Sequence, residues 1–112
     1  MASDKSVVAH MAEQMAGAGQ ITVRPMFGEY GVYCDGKVVA FICDNTLFLK
    51  PLPALLALLD APEMAPCYPG SKDYVVVTED IDNPERLAQL VRSVADAVPA
   101  PKPRKPRKTN GS

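Results

Sequence analysis

The dipeptide Asp35-Gly36 constrains this chain more than any other feature, because a two-residue hairpin loop needs positive φ at both central positions and this pair tolerates it. Asp44-Asn45 is a second, weaker signal of the same kind. With both loops two residues long, the flanking segments pair as antiparallel strands in which Cys34 opposes Lys37, Val32 opposes Val39, Ile42 opposes Leu47 and Phe41 opposes Phe48. Alternation then assigns faces. Tyr33, Val38, Ala40, Ile42, Leu47 and Leu49 share one, the expected seat of the helices, while Val32, Val39, Phe41 and Phe48 share the other, with Lys37, Thr46 and Lys50 at its fringe. This second face is too apolar to lie fully wet. The expectation is that the Leu55–Leu59 segment folds over it; the alternative is a self-association or partner surface of the kind that apolar patches mark.

Upstream, Ser3 is placed to cap a helix in which Val7, Val8, Met11, Met15 and Ala18 recur at helical spacing, ended by Gly17 and Gly19. Ile21 to Met26 reads as a strand whose Pro25, lacking an amide donor, belongs on a sheet edge or beside a bulge, which Gly28 and Gly31 also suit. Downstream, Pro51 and Pro53 stop the fourth strand, and Pro53 opens a short leucine-rich helix through Leu59. Pro62, Pro66, Pro69 and Gly70 predict an irregular loop, and Lys72 to Thr78 a further strand, with Lys72 and Tyr74 as strand-edge residues. Asn83 caps a last helix with Pro84 at its first position, and Leu87, Leu90, Val91, Val94 and Val98 form its apolar stripe. The class is therefore α+β: an antiparallel sheet of about five strands, with an N-terminal and a C-terminal helix on one face and a short middle helix.

A chain of 112 residues has room for one domain with a modest core. Its longest apolar run, Ala54 to Leu59, is far short of the ~20 residues that span a bilayer. The N-terminus carries an acid and lacks a basic segment followed by a continuous apolar one, so it does not read as a secretory signal, and the expected location is the cytoplasm. Cys34, Cys43 and Cys67 form no CxxC pair, and with His10, the single histidine, they reach zinc geometry only by long-range convergence; structural thiols are the expectation. A Cys-His nucleophilic pair is the lesser reading, since Cys34 and Cys43 sit in predicted strands.

All thirteen acidic residues precede Val98, together with seven of the twelve Lys and Arg, so the body is six charges negative. Lys102, Arg104, Lys105, Arg107 and Lys108 make the remainder five positive. That tail repeats Pro every two or three residues and offers nothing apolar larger than Ala or Pro to bury, which predicts a disordered or polyproline-like segment. The domain boundary is drawn there: residues 1–98 form the domain and 99–112 the basic tail.

Arg24-Pro25-Met26-Phe27-Gly28, then Tyr30-Gly31, Tyr33, Asp35-Gly36-Lys37 and Thr46-Leu47-Phe48-Leu49-Lys50, in this order and spacing, resemble the TfoX N-terminal domain over roughly residues 5–98. The family includes the Sxy/TfoX regulators of bacterial natural competence and many stand-alone relatives. The resemblance implies an antiparallel sheet with helices packed on it, and a regulatory role tied to transcription or competence. It carries over no catalytic residues. The chain departs from the pattern in its leucine-rich Leu52–Leu59 stretch and in having no second helical domain after it.

Two uses compete for the Arg24–Gly28 segment. In the structural one, Met26 and Phe27 fill the core edge, Pro25 and Gly28 fix the backbone and Arg24 pairs with a carboxylate. In the functional one, Arg24 joins Tyr30, Tyr33 or Lys50 in an anion or partner contact, since guanidinium offers bidentate donors. His10 reads as a surface or boundary residue. The leading function is a non-enzymatic interaction domain using Arg24, Tyr30, Phe41, Phe48 and Lys50, with a protein partner or with itself as a homodimer. The second is weak, sequence-independent nucleic-acid binding through the tail. A small enzyme is the third and least supported, because no phosphate loop, paired catalytic carboxylates or metal spacing occurs; no catalytic, metal or cofactor residues are expected.

Overall fold

The computed structural model describes residues 3–99. Six strands form one antiparallel sheet: β1 (Ile21–Met26), β2 (Glu29–Cys34), β3 (Lys37–Cys43), β4 (Thr46–Leu49), β5 (Met64–Pro66) and β6 (Asp73–Val77), in the spatial order β1-β2-β3-β4-β6-β5. Helices α1 (Lys5–Met15), α2 (Pro53–Leu56) and α3 (Pro84–Ala97) pack on one side of it, with 3-10 turns at Ala16–Ala18 and Glu79–Asp82. The sixth strand is β5, inside the segment expected to be an irregular loop. It is three residues long and lies at the sheet edge, where Pro66 costs no ladder donor on its outer side. It also places β6 inside the sheet, so Tyr74 lies within an interior strand and Lys72 just before it, not on a sheet edge.

Three consecutive two-residue loops build β1 to β4. Asp35-Gly36 and Asp44-Asn45 adopt positive φ at both positions, as expected, and the partners are Cys34 with Lys37, Phe41 with Phe48 and Ile42 with Leu47. The third loop is Phe27-Gly28, where a bulged corner was expected and a tight hairpin stands instead, closing Met26 onto Glu29. Pro25 lies on the edge strand β1, where it belongs.

The core lies between sheet and helices. Val8, Met11 and Met15 of α1, Leu55 of α2 and Leu87, Leu90, Val91, Val94 and Ala95 of α3 meet Val32, Cys34, Ile42, Leu47, Leu49, Val75 and Val77 of the sheet. Asn83 caps α3 through its side-chain oxygen, which accepts from the Arg86 amide at 3.3 Å, and Pro84 occupies the first turn. Ser3 does not cap α1; Asp4 holds that position without a side-chain bond. Ser3 is buried instead, its hydroxyl donating to Glu29 Oε1 at 2.8 Å and accepting from the Asn45 amide at 2.9 Å, which ties the chain start to the loops of the sheet.

Candidate functional site

A β-bulge decides which side chains face away from the helices. Tyr33 pairs with Val38 but Val32 pairs with Ala40, so Val39 is an extra residue on β3. On β3 the residues on the Asp35-Gly36 side of that bulge change face relative to those beyond it, and β2, joined to them through the loop, takes along its whole length the face opposite to the one a regular register gives. Val32 and Val39 enter the core and Tyr33 and Val38 leave it, the reverse of the expected assignment, while Ala40, Ile42, Leu47 and Leu49 stay inside and Phe41 and Phe48 stay outside. Lys37 likewise turns to the helix side, where its ammonium donates to the Ala95 carbonyl at 2.9 Å.

The Leu55–Leu59 segment does not cover the outer face. Leu55 is fully buried in the helix-side core, and Leu56, Leu58 and Leu59 pack against the same cluster, because α2 lies against α3. Part of the outer face is covered by a different segment. Cys67, following β5, is buried with Cys43 and Phe48 in a second cluster that Phe41, Ala65, Tyr74 and Val76 border. Ser71 shapes this turn: its hydroxyl accepts from the amides of Cys67 and Tyr68, at 3.0 and 3.4 Å, and donates to the Lys72 carbonyl at 3.0 Å. Burial pushes the Cys67 thiol up, and burial with the neighbouring Cys67 thiol pushes Cys43 up to about 12, so neither is a thiolate at neutral pH. Cys34 lies on the other side of the sheet, its thiol 3.7 Å from the Ala18 carbonyl, and His10 is exposed with Nε2 3.3 Å from Asp82 Oδ1. The three thiols and His10 therefore do not converge, and among the described residues no group of three or more His, Cys, Asp or Glu could hold a metal ion.

The remainder of the outer face stays open. A shallow groove of about 350 Å³ runs over Met26, Tyr33, Gly36, Lys37, Val38 and Phe41 and meets Val98 and Pro99 at its rim. Gly31 makes its floor possible: a Cβ there would stand 2.9 Å from the Met26 methyl, so the Met26 side chain lies directly over bare backbone. The Arg24 guanidinium carbon lies 5.5 Å from the centre of the Tyr33 ring, and Phe41 meets Tyr74 edge to face at 5.5 Å and 77°. At the far side, half-buried Lys50 follows β4 and is pushed below the ordinary lysine range by burial and by the repulsion of Lys72.

Arg24, Lys50 and Lys72 share a further property. The ion pairs among the described residues are His10–Asp82, Arg92–Asp35 and Arg92–Asp96, so none of these three cations has a carboxylate within 4.0 Å. The expected Arg24–carboxylate pair is absent there, and the ring of Tyr33 takes its place. Glu29, which approaches this face, is occupied by the Asp44 amide at 3.0 Å and by the Ser3 hydroxyl and amide. Those bonds outweigh its partial burial and hold its carboxyl below the usual range.

Phe27 overturns the structural reading of the Arg24–Gly28 segment. It fills no core edge; it stands fully exposed at the hairpin tip with φ of 51°, a left-handed conformation that costs a bulky side chain ~1 kcal/mol or more. Of the interaction residues read from the sequence, Arg24, Phe41, Phe48 and Lys50 do share the outer face, although Phe48 is buried beneath the Cys67 turn. Tyr30 does not join them, because it packs against the helix-side core. Lys102, Arg104, Lys105, Arg107 and Lys108 lie outside the described residues. Val38, Tyr74 and Lys72 were not singled out as contacts by sequence; alternation from Phe48 would have reached Tyr74, but the bulge hid Val38.

Among the described residues, a single antiparallel sheet with helices on one side and a partly open aromatic face on the other defines a small α+β domain of the two-layer kind. The pattern of the TfoX N-terminal domain family matches residues 13–98, and the chain belongs to that family. A relative from Spirochaeta aurantia, described as an "uncharacterized 12.7 kDa protein in trpE 5′ region", is 43% identical over 113 residues, which cover 100% of this chain and 98% of that one. No helix among the described residues is long and apolar enough to cross a membrane.

Proposed function

We propose that this TfoX N-terminal domain is a non-catalytic interaction module that recruits a protein partner to the open half of its outer sheet face, and that it acts in regulation as competence and transcription regulators of the family do. The observation that carries this reading is the groove over Met26, Tyr33, Val38 and Phe41, an apolar surface that no helix of the described chain covers. A two-layer domain gains by acquiring a third layer there, since covering half-buried aromatics stabilises by about 25 cal/mol per Å² of apolar area. Phe27 beside it adds a large apolar side chain with no fold contact to lose.

Photo-cross-linking in the native cell tests the assignment. A benzoyl-phenylalanine placed at Val38 is expected to trap a discrete protein, and the same group at exposed Glu85 on α3 is not. Equal trapping at both positions, or none at Val38, sinks the reading.

A second reading rests on the charge division along the chain, in which the five cations after Val98 follow a body six charges negative. In it the tail holds nucleic acid by phosphate neutralisation alone, without reading bases.

A further inference from the structure

We infer that the occupant of the open face is an acidic amphipathic segment of another protein, whose apolar side chains fill the groove beside Tyr33, Val38 and Phe41 and whose carboxylates reach Arg24 on one side and Lys50 with Lys72 on the other. The inference rests on the docking reading above and adds the chemistry of the partner. Its basis is an uneven distribution of charge. The described body carries far more acid than base. Yet Arg92 is bound to Asp35 and Asp96, Arg86 to the Leu58 carbonyl and Lys37 to the Ala95 carbonyl, all on the helix side. On the outer face Arg24, Lys50 and Lys72 have neither a carboxylate within 4.0 Å nor a carbonyl partner among the described residues, a state that exposed Lys5 at the start of α1 shares on the helix side. Lys50 and Lys72 repel one another and Lys50 is half-buried, so an anion between them relieves two costs at once.

Geometry sets the length of the segment. Arg24 on β1 aligns with Phe48 of β4, so Lys50 lies three strand spacings across and two residues further along, ~16 Å away. A helix covers that distance in about eleven residues and an extended strand in about five. Other occupants fit less well. A second copy docked face to face sets the same three cations against themselves, because an isologous interface brings one patch onto itself. The chain's own tail brings five further positive charges to a positive rim. Single-stranded nucleic acid needs free ring faces for stacking, whereas Phe41 and Tyr74 are engaged edge to face, and the net negative body repels a phosphate backbone.

The test is selection of phage-displayed random peptides, about 16 residues long and so able to form a ~24 Å helix, on the immobilised full chain. Enriched peptides are then resynthesised and measured by fluorescence anisotropy. Peptides combining Asp or Glu with Leu, Phe or Trp are expected, with affinity about tenfold or more weaker for the Arg24→Glu, Lys50→Glu, Lys72→Glu variant and unchanged for a chain ending at Val98. Lys72→Glu alone, at an exposed position, serves where circular dichroism shows the triple variant unfolded. Neutral or basic peptides that are nevertheless lost on Val38→Glu overturn the acidic partner and leave the docking face standing. Acidic peptides that survive charge reversal but are lost with residues 99–112 belong to the tail and overturn the inference. Peptides insensitive to every variant, or no enrichment, overturn both readings. Sedimentation showing a dimer that Val38→Glu dissociates assigns the face to a second copy, and tighter binding of oligothymidylate, lost in the charge-reversed variant, assigns it to nucleic acid; either result overturns the inference.

Discussion

Phe27 and Gly28 stand side by side at the tip of the β1–β2 hairpin with φ of 51° and 83°, so a two-residue loop that demands left-handed backbone at both positions carries phenylalanine at the first. Asn at that position accepts the conformation far more readily, and Asn-Gly is the preferred pair for this loop. Phe27 makes no buried contact whose loss would offset the relief. Phe27→Asn is therefore expected to raise stability by about 1 kcal/mol, read as a Tm increase of ~4–8 °C for a domain of this size. The same variant is expected to weaken whatever binds beside the groove. A lowered Tm would show that the ring supports the monomer after all.

How far this fold could be read from residues depends on where period-two alternation holds. It holds around Asp35-Gly36 and Asp44-Asn45, whose loops and first pairings are as expected, and along α3, where the apolar stripe and the Asn83-Pro84 start are unambiguous. It fails at Val39, because a bulge inside a run of β-branched residues leaves no compositional mark and yet inverts every side chain beyond it. Phe27-Gly28 was missed for the opposite reason: phenylalanine is a poor turn residue, so the third hairpin is imposed by pairing of β1 with β2 rather than by local preference. Arg24, Phe41 and Lys50 were legible as residues of the outer face because they flank the regular part of the register. Tyr30 was not, since its face depends on where the chain turns.

Arg92 couples helix α3 to the β2–β3 loop by binding Asp35 Oδ2 at 2.9 Å and Asp96 Oδ1, and it holds both carboxyls below the ordinary aspartate range. A depressed folded-state pKa contributes stability above the unfolded value, about 3.9, and that contribution disappears as pH falls through the folded values. Arg92→Met is thus expected to lower Tm at pH 7, with the gap from the parent protein constant down to about pH 5 and closing below about pH 4. Thermal melts across that range check it. A gap that is the same at acid and neutral pH would place the whole effect in the Arg92 bond to the Ala18 carbonyl, which does not titrate.

Cys43 and Cys67 are buried together under the turn that Ser71 holds, and the Cys43 thiol is pushed up to about 12. Alkylation requires thiolate and access, and both are withheld in the folded state. At pH 8 iodoacetamide is expected to leave all three cysteines largely unmodified in the native protein and to label all three in urea, as counted by mass. Ser71→Ala, which removes the acceptor of the Cys67 and Tyr68 amides, is expected to expose Cys67 first and to accelerate its labelling. Rapid native labelling of Cys43 would mean that the turn opens readily and that the open face extends beneath it.

The tail mechanism makes a quantitative prediction of its own. Five Lys and Arg side chains that neutralise five phosphates, releasing the condensed counterions of the DNA, give a log–log salt slope of about −4.5 for duplex DNA, whatever its sequence. Anisotropy titrations of a labelled duplex at two salt concentrations, with the full chain and with one ending at Val98, read this directly. Loss of binding on truncation supports the tail; affinity that survives without residues 99–112 refutes it.

Phe41 and Phe48 are cross-strand partners on the same face, yet the structure separates their roles. Phe48 is 8% exposed beneath the Cys67 turn, whereas Phe41 is half-buried at the edge of the groove. Phe48→Ala leaves a cavity in the small cluster it shares with Cys43 and Cys67 and is expected to cost about 3–5 kcal/mol. Phe41→Ala loses the edge contact to Tyr74 and part of its burial, about 1–2 kcal/mol, and is expected to remain folded while losing its partner. Denaturant midpoints for the two variants, set beside cross-linking from Val38, distinguish the residue that holds the domain together from the residue that meets another molecule. Equal costs near the larger figure would make Phe41 core as well, and would reduce the contact surface to Arg24, Met26, Tyr33 and Val38.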